Sequence, residues 1–206
     1  MRGIIYRALS PDELPLNLNE VANRLGTERG YTDENIERCL LELKKAAAPK
    51  FSAVRVPVIY GEDFLLDLGF GEFRSVYLTK NLKESPEAFI FAATLGSGVD
   101  RLLKKLSLTS QSAYFITDAL ASAMAEALAD YTDKYLREGI ACRPRFSPGF
   151  GDLSLELQPD ILASVNAYKL LGMTVNKSFL MAPMKSVTAV MGIVGSAGMT
   201  GKQLTV

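Results

Sequence analysis

One segment of the chain, residues 142–152 (CRPRFSPGFGD), combines residue types that could hold a small charged ligand. Its prolines exclude regular helix, and its glycines allow a positive φ and a close approach of a ligand to the backbone. Arg143 and Arg145 carry planar guanidinium forks that match a carboxylate, while Phe146 and Phe150 carry flat rings for a purine or for the core. The segment therefore predicts a loop suited to a zwitterion joined to an aromatic base. The alternative is a structural connection, with the arginines paired to surface acids and the phenylalanines buried.

Glu126 is a second candidate, because it lies on the longest predicted helix, which runs from Ser110 to Arg137. Ser122, Glu126 and Asp130 fall at positions i, i+4 and i+8, so they form one polar strip along that helix. Read alone, such a strip is typical of a solvated face. Alanines keep much of the remaining surface small, so that a ligand or another element can approach. The apolar stripe of the helix consists of Ile116, Leu120, Met124, Leu128 and Tyr131.

A glycine-bearing turn follows the apolar run 88–93 (AFIFAA), which is typical of a strand covered on both faces. The turn, residues 94–98, leads into a helix that carries Val99 and Leu103. A strand, a glycine turn and a helix can cradle a phosphate. This turn lacks the third glycine of the dinucleotide fingerprint and the lysine of a P-loop. The sequence therefore favours a tight structural turn over a phosphate site.

The chain contains no histidine among its 206 residues. This removes the commonest general base, the Ser-His-Asp and Cys-His arrangements and most catalytic zinc sites. The two cysteines, Cys39 and Cys142, stand in no metal or redox spacing. We therefore predict no catalytic side chain and no metal ligand, and any chemistry would have to come from a bound reagent.

The charge balance gives no support to a polyanionic partner. Lys plus Arg and Asp plus Glu both number 23, so the formal net charge is zero, and neither a nucleic acid nor an anionic membrane is expected. The first 60 residues lack the pattern of a signal peptide. The apolar stretch 179–194 is broken by Pro183 and Lys185 and is too short to span a bilayer. A cytoplasmic location is the expectation.

The remaining patterns predict an α+β fold, a twisted antiparallel sheet with helices mainly on one face. Residues 1–50 are predicted to form a helical N-terminal segment and residues 51–206 an α+β domain. Further predictions are a helix capped by Thr32, a strand over 51–60 that Pro57 moves to an edge or bulge, a short helix over 75–82, a helix over 161–171, a hairpin of strands 175–181 and 186–194, and a mobile tail over 195–206.

Residues 145–150 (RFSPGF) resemble the R-x-x-x-G-Y signature of the activation domain of cobalamin-dependent methionine synthase. Three other blocks resemble the same domain in the same order: 88–96 (AFIFAATLG), 119–126 (ALASAMAE) and 172–187 (GMTVNKSFLMAPMKSV). The resemblance covers about residues 88–194. It implies the fold of that domain, in a stand-alone form.

The resemblance implies a binding site for S-adenosylmethionine. Arg145 matches the arginine expected to grip the methionine carboxylate, and Glu126 matches the glutamate expected near the positively charged end of the ligand. Ser147 and Gly149 match positions whose backbone lines the site, and Phe150 stands in the place of the family tyrosine. Gly151 replaces the proline that usually follows. The aspartate that helps to bind the ligand in the family has no convincing match in residues 1–87.

The function implied is support of reductive methylation, the reactivation of cob(II)alamin on a methionine synthase that another chain supplies. Cobalamin would be carried by that partner, and a flavodoxin-like protein would donate the electron. One alternative is an accessory factor for a different corrinoid methyltransferase. Another is a non-catalytic domain that senses S-adenosylmethionine or acts as a scaffold.

Overall fold

The computed structural model describes residues 3–26 and 34–194. The predicted cap at Thr32 and the predicted mobile tail 195–206 lie outside these residues. Within them, no helix is both long enough and apolar enough to cross a bilayer.

The described residues form nine strands and seven α-helices. The strands are β1 (Ile4–Ala8), β2 (Lys50–Pro57), β3 (Ile59–Tyr60), β4 (Leu65–Asp67), β5 (Glu72–Arg74), β6 (Glu87–Thr94), β7 (Thr174–Val175), β8 (Met181–Ala182) and β9 (Ser186–Ile193). The helices are α1 (Leu18–Leu25), α2 (Glu34–Ala46), α3 (Val76–Leu82), α4 (Ser97–Thr109), α5 (Gln111–Leu136), α6 (Gln158–Ser164) and α7 (Ala167–Leu170).

The central sheet has four strands in the order β1-β2-β6-β9, and every neighbouring pair is antiparallel. Every residue of β6 after Glu87 is buried. A strand covered on both faces has no need for alternating polar residues, which explains its continuous apolar run. The predicted antiparallel sheet is therefore confirmed.

The two faces of the sheet carry separate hydrophobic cores, which follow the alternation of side chains along β2. Phe51 and Ala53 belong to the core beneath α1, α2, α4 and α5. Val54 and Val56 belong to the core beneath α3, α6 and α7. Helices α1, α2, α4 and α5 have 8 to 26 residues, whereas α3, α6 and α7 have 4 to 7. The helices thus lie mainly on one face, and short helices close the other.

Helix α5 matches the predicted long helix within one residue at each end. The Ser110 hydroxyl accepts a hydrogen bond from the Ala113 backbone N–H at 3.4 Å, which caps its first turn. Leu120, Met124 and Leu128 of the predicted stripe are buried. The intervening alanines are buried as well, so the sheet and neighbouring helices can approach α5 closely.

The N-terminal segment is only partly helical. Ile4–Ala8 forms β1, which hydrogen-bonds to β2 in register from Ile4 opposite Val54 to Ala8 opposite Lys50. Sequence reasoning missed this strand because it weighed only the helical patterns that follow it. The division of the chain into domains at residue 50 stays a prediction.

Three local predictions were wrong in detail. The strand over 175–181 does not pair with that over 186–194: β7 pairs with β8, and β9 pairs with β6. β9 is buried from Thr188 onward, so it belongs to the main sheet. β2 is a central strand, and Pro57 is tolerated because it is the last residue. The helix over 161–171 is divided into α6 and α7 at Asn166, whose φ is 55°.

Candidate functional site

The loop 142–152 is attached to the outer edge of β9. The Arg143 N–H donates to the Gly192 carbonyl at 2.7 Å. Phe146 and Val190 exchange backbone hydrogen bonds of 2.9 and 2.8 Å. Because β9 already pairs with β6 on its other side, these bonds pair part of its outer edge and fix the start of the loop.

A tight turn then carries the loop back over itself. The Phe150 N–H donates to the Ser147 carbonyl at 3.2 Å, and the Gly149 N–H donates to the Leu153 carbonyl at 2.8 Å. Gly149 has φ 92° and Gly151 has φ 56°, conformations that glycine adopts without the strain of a side chain. The glycines that the sequence singled out are thus required by the geometry of the turn.

Asp152 fastens the end of the loop to α3. Its carboxylate accepts hydrogen bonds from the Ser75 hydroxyl at 2.6 Å, the Val76 N–H at 2.7 Å and the Tyr77 N–H at 3.2 Å. The Ser75 hydroxyl, followed by the two backbone N–H groups, lowers the pKa of this carboxyl. A negative charge at the first turn of a helix also interacts favourably with the positive end of the helix dipole.

Arg145 and Glu126 lie together. The Arg145 Nη2 is 3.0 Å from Glu126 Oε2, and its Nη1 is 2.5 Å from Asp130 Oδ1. The Arg145 side chain is 27% exposed, that of Glu126 47% and that of Asp130 69%. Two carboxylates from successive turns of α5 therefore hold one guanidinium from the loop.

A groove of about 340 Å³ opens beside this ion pair. Of the five predicted site residues, Glu126, Arg145, Ser147 and Phe150 line it, and Gly149 does not. The remaining wall is formed by Phe146, Pro148, Gln158, Met181, Ser186, Val187 and Thr188.

The two alternatives considered for the loop are both partly realised. Arg145 is paired with surface acids, as a structural connection would require. Phe146 packs against the core, whereas Phe150 is 66% exposed on the groove wall. One ring is thus used for packing, and the other is exposed at the groove.

Sequence reasoning missed a buried polar pair in the groove. The Thr188 hydroxyl donates to Gln158 Oε1 at 2.8 Å, and the two residues are only 1% and 3% exposed. Thr188 sits in a strand and Gln158 starts a helix, so no motif marks either of them. Only the packing of α6 against β9 brings them together.

The polar strip of α5 is occupied along its length by basic side chains from other elements. Lys185 Nζ lies 2.8 Å from Asp118 Oδ1 and 2.9 Å from the Ser122 hydroxyl, and its side chain is 15% exposed. Arg145 takes the next two positions of the strip, Glu126 and Asp130. The strip is therefore paired with basic side chains from two loops, although Glu126 and Asp130 stay 47% and 69% exposed.

The glycine turn after β6 has a packing role. The Gly96 N–H donates to the Thr94 hydroxyl at 3.1 Å. Gly98 faces the carbonyl of Ala46 so closely that a Cβ would not fit. The turn thus lies against the end of α2, in agreement with the preference for a structural turn.

A larger hollow, of about 950 Å³, lies along the C-terminal half of α5. Arg7 stands over the rings of Tyr131 and Tyr135, 5.4 and 5.3 Å from their centres, and fills part of its wall. Its lining mixes acidic and basic residues, and of the residues considered above it shares only Asp130 with the Arg145 cluster. Four of the five predicted site residues line the smaller groove and none lines the larger hollow. The smaller groove is therefore the candidate ligand site, although its volume is less.

No family model and no curated protein matches the sequence. Among solved structures, the chain is similar to the MetH reactivation domain bound to AdoHcy, with a TM-score of 0.68 and 15% sequence identity. The likeness covers 93% of this chain and 78% of that chain. It therefore extends well beyond residues 88–194, into the N-terminal half that resisted sequence comparison. At this identity the likeness shows the fold, and the predicted activation-domain-like α+β architecture is confirmed.

Proposed function

We propose that this chain binds S-adenosylmethionine in the groove beside Arg145 and supports the reductive methylation of cob(II)alamin on a methionine synthase supplied by another chain. One observation carries the proposal. The Arg145–Glu126 pair lies at a groove in a fold shared with a reactivation domain whose solved structure holds AdoHcy.

The groove fits the ligand in charge and size. S-Adenosylmethionine carries a carboxylate, an ammonium and a sulfonium, and the groove offers one guanidinium and one carboxylate 3.0 Å apart. Its volume of about 340 Å³ falls at the lower end of the usual range for small-molecule sites. The exposed ring of Phe150 offers a flat apolar face for adenine.

The residues of this chain act by binding and orientation. S-Adenosylmethionine supplies the methyl group, and the cobalamin of the partner chain accepts it after one-electron reduction by a flavodoxin-like donor. Arg145 holds the carboxylate, Glu126 faces the positive charges, and Ser147 on the groove wall lines the ligand. Transfer from a sulfonium needs no proton to be moved, so position and electrostatics suffice. This is consistent with a chain that has no histidine.

Calorimetric titration with S-adenosylmethionine, repeated with S-adenosylhomocysteine, tests the binding. We expect saturable binding of one ligand per chain and a rise in melting temperature with ligand concentration. The absence of both, for protein with a cooperative thermal transition, would overturn the proposal.

A methyl-transfer assay tests the role. The chain is mixed with a cobalamin-loaded methionine synthase that lacks its own reactivation domain, a one-electron reductant and methyl-labelled S-adenosylmethionine. Label should appear on the cobalamin only when this chain is present. Transfer to another corrinoid protein in its place would favour the alternative client, and binding without transfer to either would favour a sensor or scaffold.

A further inference from the structure

We infer that Asp130 restrains the binding site, because it competes with the ligand carboxylate for Arg145. The inference rests on the proposed function. It concerns a residue outside the five predicted for the site, and it assigns to the ion-pair cluster a role in setting ligand affinity.

The two protein carboxylates on Arg145 are not equivalent. Glu126 lines the groove, whereas Asp130 does not and instead lines the larger hollow. Asp130 therefore holds Nη1 of the guanidinium from outside the groove lining, while Glu126 holds Nη2 at the groove itself.

A ligand carboxylate that takes both terminal nitrogens of Arg145 in a fork must displace at least one protein carboxylate. Asp130 is the easier to displace. Its side chain is 69% exposed, against 47% for Glu126, so water restores its hydration when the pair opens. Its 2.5 Å contact is the shorter of the two, but exposure and screening limit what an ion pair at the surface contributes.

The charges of the ligand point the same way. Glu126 can face the ammonium and sulfonium of the ligand, so its negative charge is compensated in the complex. Asp130 has no such partner on the ligand, and its charge repels the incoming carboxylate. Neutralising Asp130 should therefore tighten binding, and neutralising Glu126 should weaken it.

The test compares wild type with Asp130→Asn by calorimetry. We expect a two- to fivefold tighter Kd for S-adenosylmethionine at low salt, the range typical of an exposed ion pair, and a ratio that falls towards one as salt rises. Decarboxylated S-adenosylmethionine should show no gain, because it brings no carboxylate to Arg145. Glu37→Gln, which removes an equal charge from α2 outside the groove, is the control.

Each outcome bears on a different claim. An unchanged or weaker Kd for Asp130→Asn, with wild type binding normally, overturns the inference and leaves the proposed function intact. An equal gain for the decarboxylated ligand, or for Glu37→Gln, also overturns it, since the effect would then come from net charge. If wild type binds neither ligand, the proposed function fails, and the inference fails with it.

Discussion

The carboxylate of Asp152 lies 2.6 Å from the hydroxyl of Ser75, 77 positions earlier in the chain. Ser75 is 1% exposed and also caps α3, so it is fixed by the core beneath it. The candidate ligand loop is thus fastened at its far end to a rigid element, while its near end is bonded to β9. A loop held at both ends can keep Arg145 and Phe150 in place before a ligand arrives.

Asp152→Asn should destabilise the protein in a pH-dependent way. Because the folded pKa of Asp152 is lowered, its contribution is present above the pKa of the unfolded chain, about 3.9, and is lost as pH falls through the lower folded value. Thermal melts should show the variant below wild type at pH 7, with the gap closing below pH 4. A difference in melting temperature that stays constant from pH 7 to below pH 4 would show that the ionised carboxylate of Asp152 does not stabilise the fold.

Thr188→Val should lower the free energy of unfolding by about 1–3 kcal/mol, because it leaves the buried Gln158 Oε1 without its donor. Thr117→Val is the matched control. Thr117 is also fully buried, but its hydroxyl has no hydrogen-bond partner, so its loss should be neutral or stabilising. Urea denaturation of both variants measures the difference, and equal losses would show that the Thr188–Gln158 hydrogen bond makes no contribution of its own.

Gly151→Ala should cost more stability than Gly172→Ala. Both glycines have a positive φ, 56° and 66°, so both substitutions carry backbone strain of about 1–2 kcal/mol. A Cβ on Gly151 would also lie 2.8 Å from Cγ of Tyr77, whereas nothing lies within 4 Å of one on Gly172. Denaturation midpoints compare the two. Only Gly151→Ala should also weaken ligand binding, since it displaces the loop from α3.

Arg145→Ala should weaken binding of S-adenosylmethionine roughly ten- to a hundredfold, because a hydrogen bond to a charged group contributes about 1.5–3 kcal/mol. Arg145→Lys keeps the charge but loses the planar fork, so its affinity for the ligand should lie between those of wild type and Arg145→Ala. Stability should change by less than about 1 kcal/mol, since the acids that Arg145 contacts are exposed. Calorimetry with a parallel thermal melt checks both statements, and undiminished affinity in Arg145→Ala would remove Arg145 from the site.

Local patterns predicted much of the fold. The apolar stripe of α5, the continuous apolar run of β6 and the short helix α3 follow from local sequence patterns. The prolines and glycines of 142–152 likewise determined a loop. In each case, the residues that decide the outcome are close in sequence.

The partners of these elements were decided only by the tertiary structure. That β9 pairs with β6, that β1 exists, and that Gln158 meets Thr188 all depend on contacts between distant residues. The same holds for the site. Arg145 and Glu126 were predicted from the sequence as site residues. Only the packing of the loop against α5 shows that Glu126 and Asp130 both form ion pairs with Arg145. A surface carboxylate is nearly as stable when hydrated as when it is ion-paired. The sequence pattern of the strip therefore does not specify whether its acids face water or pair with a basic side chain.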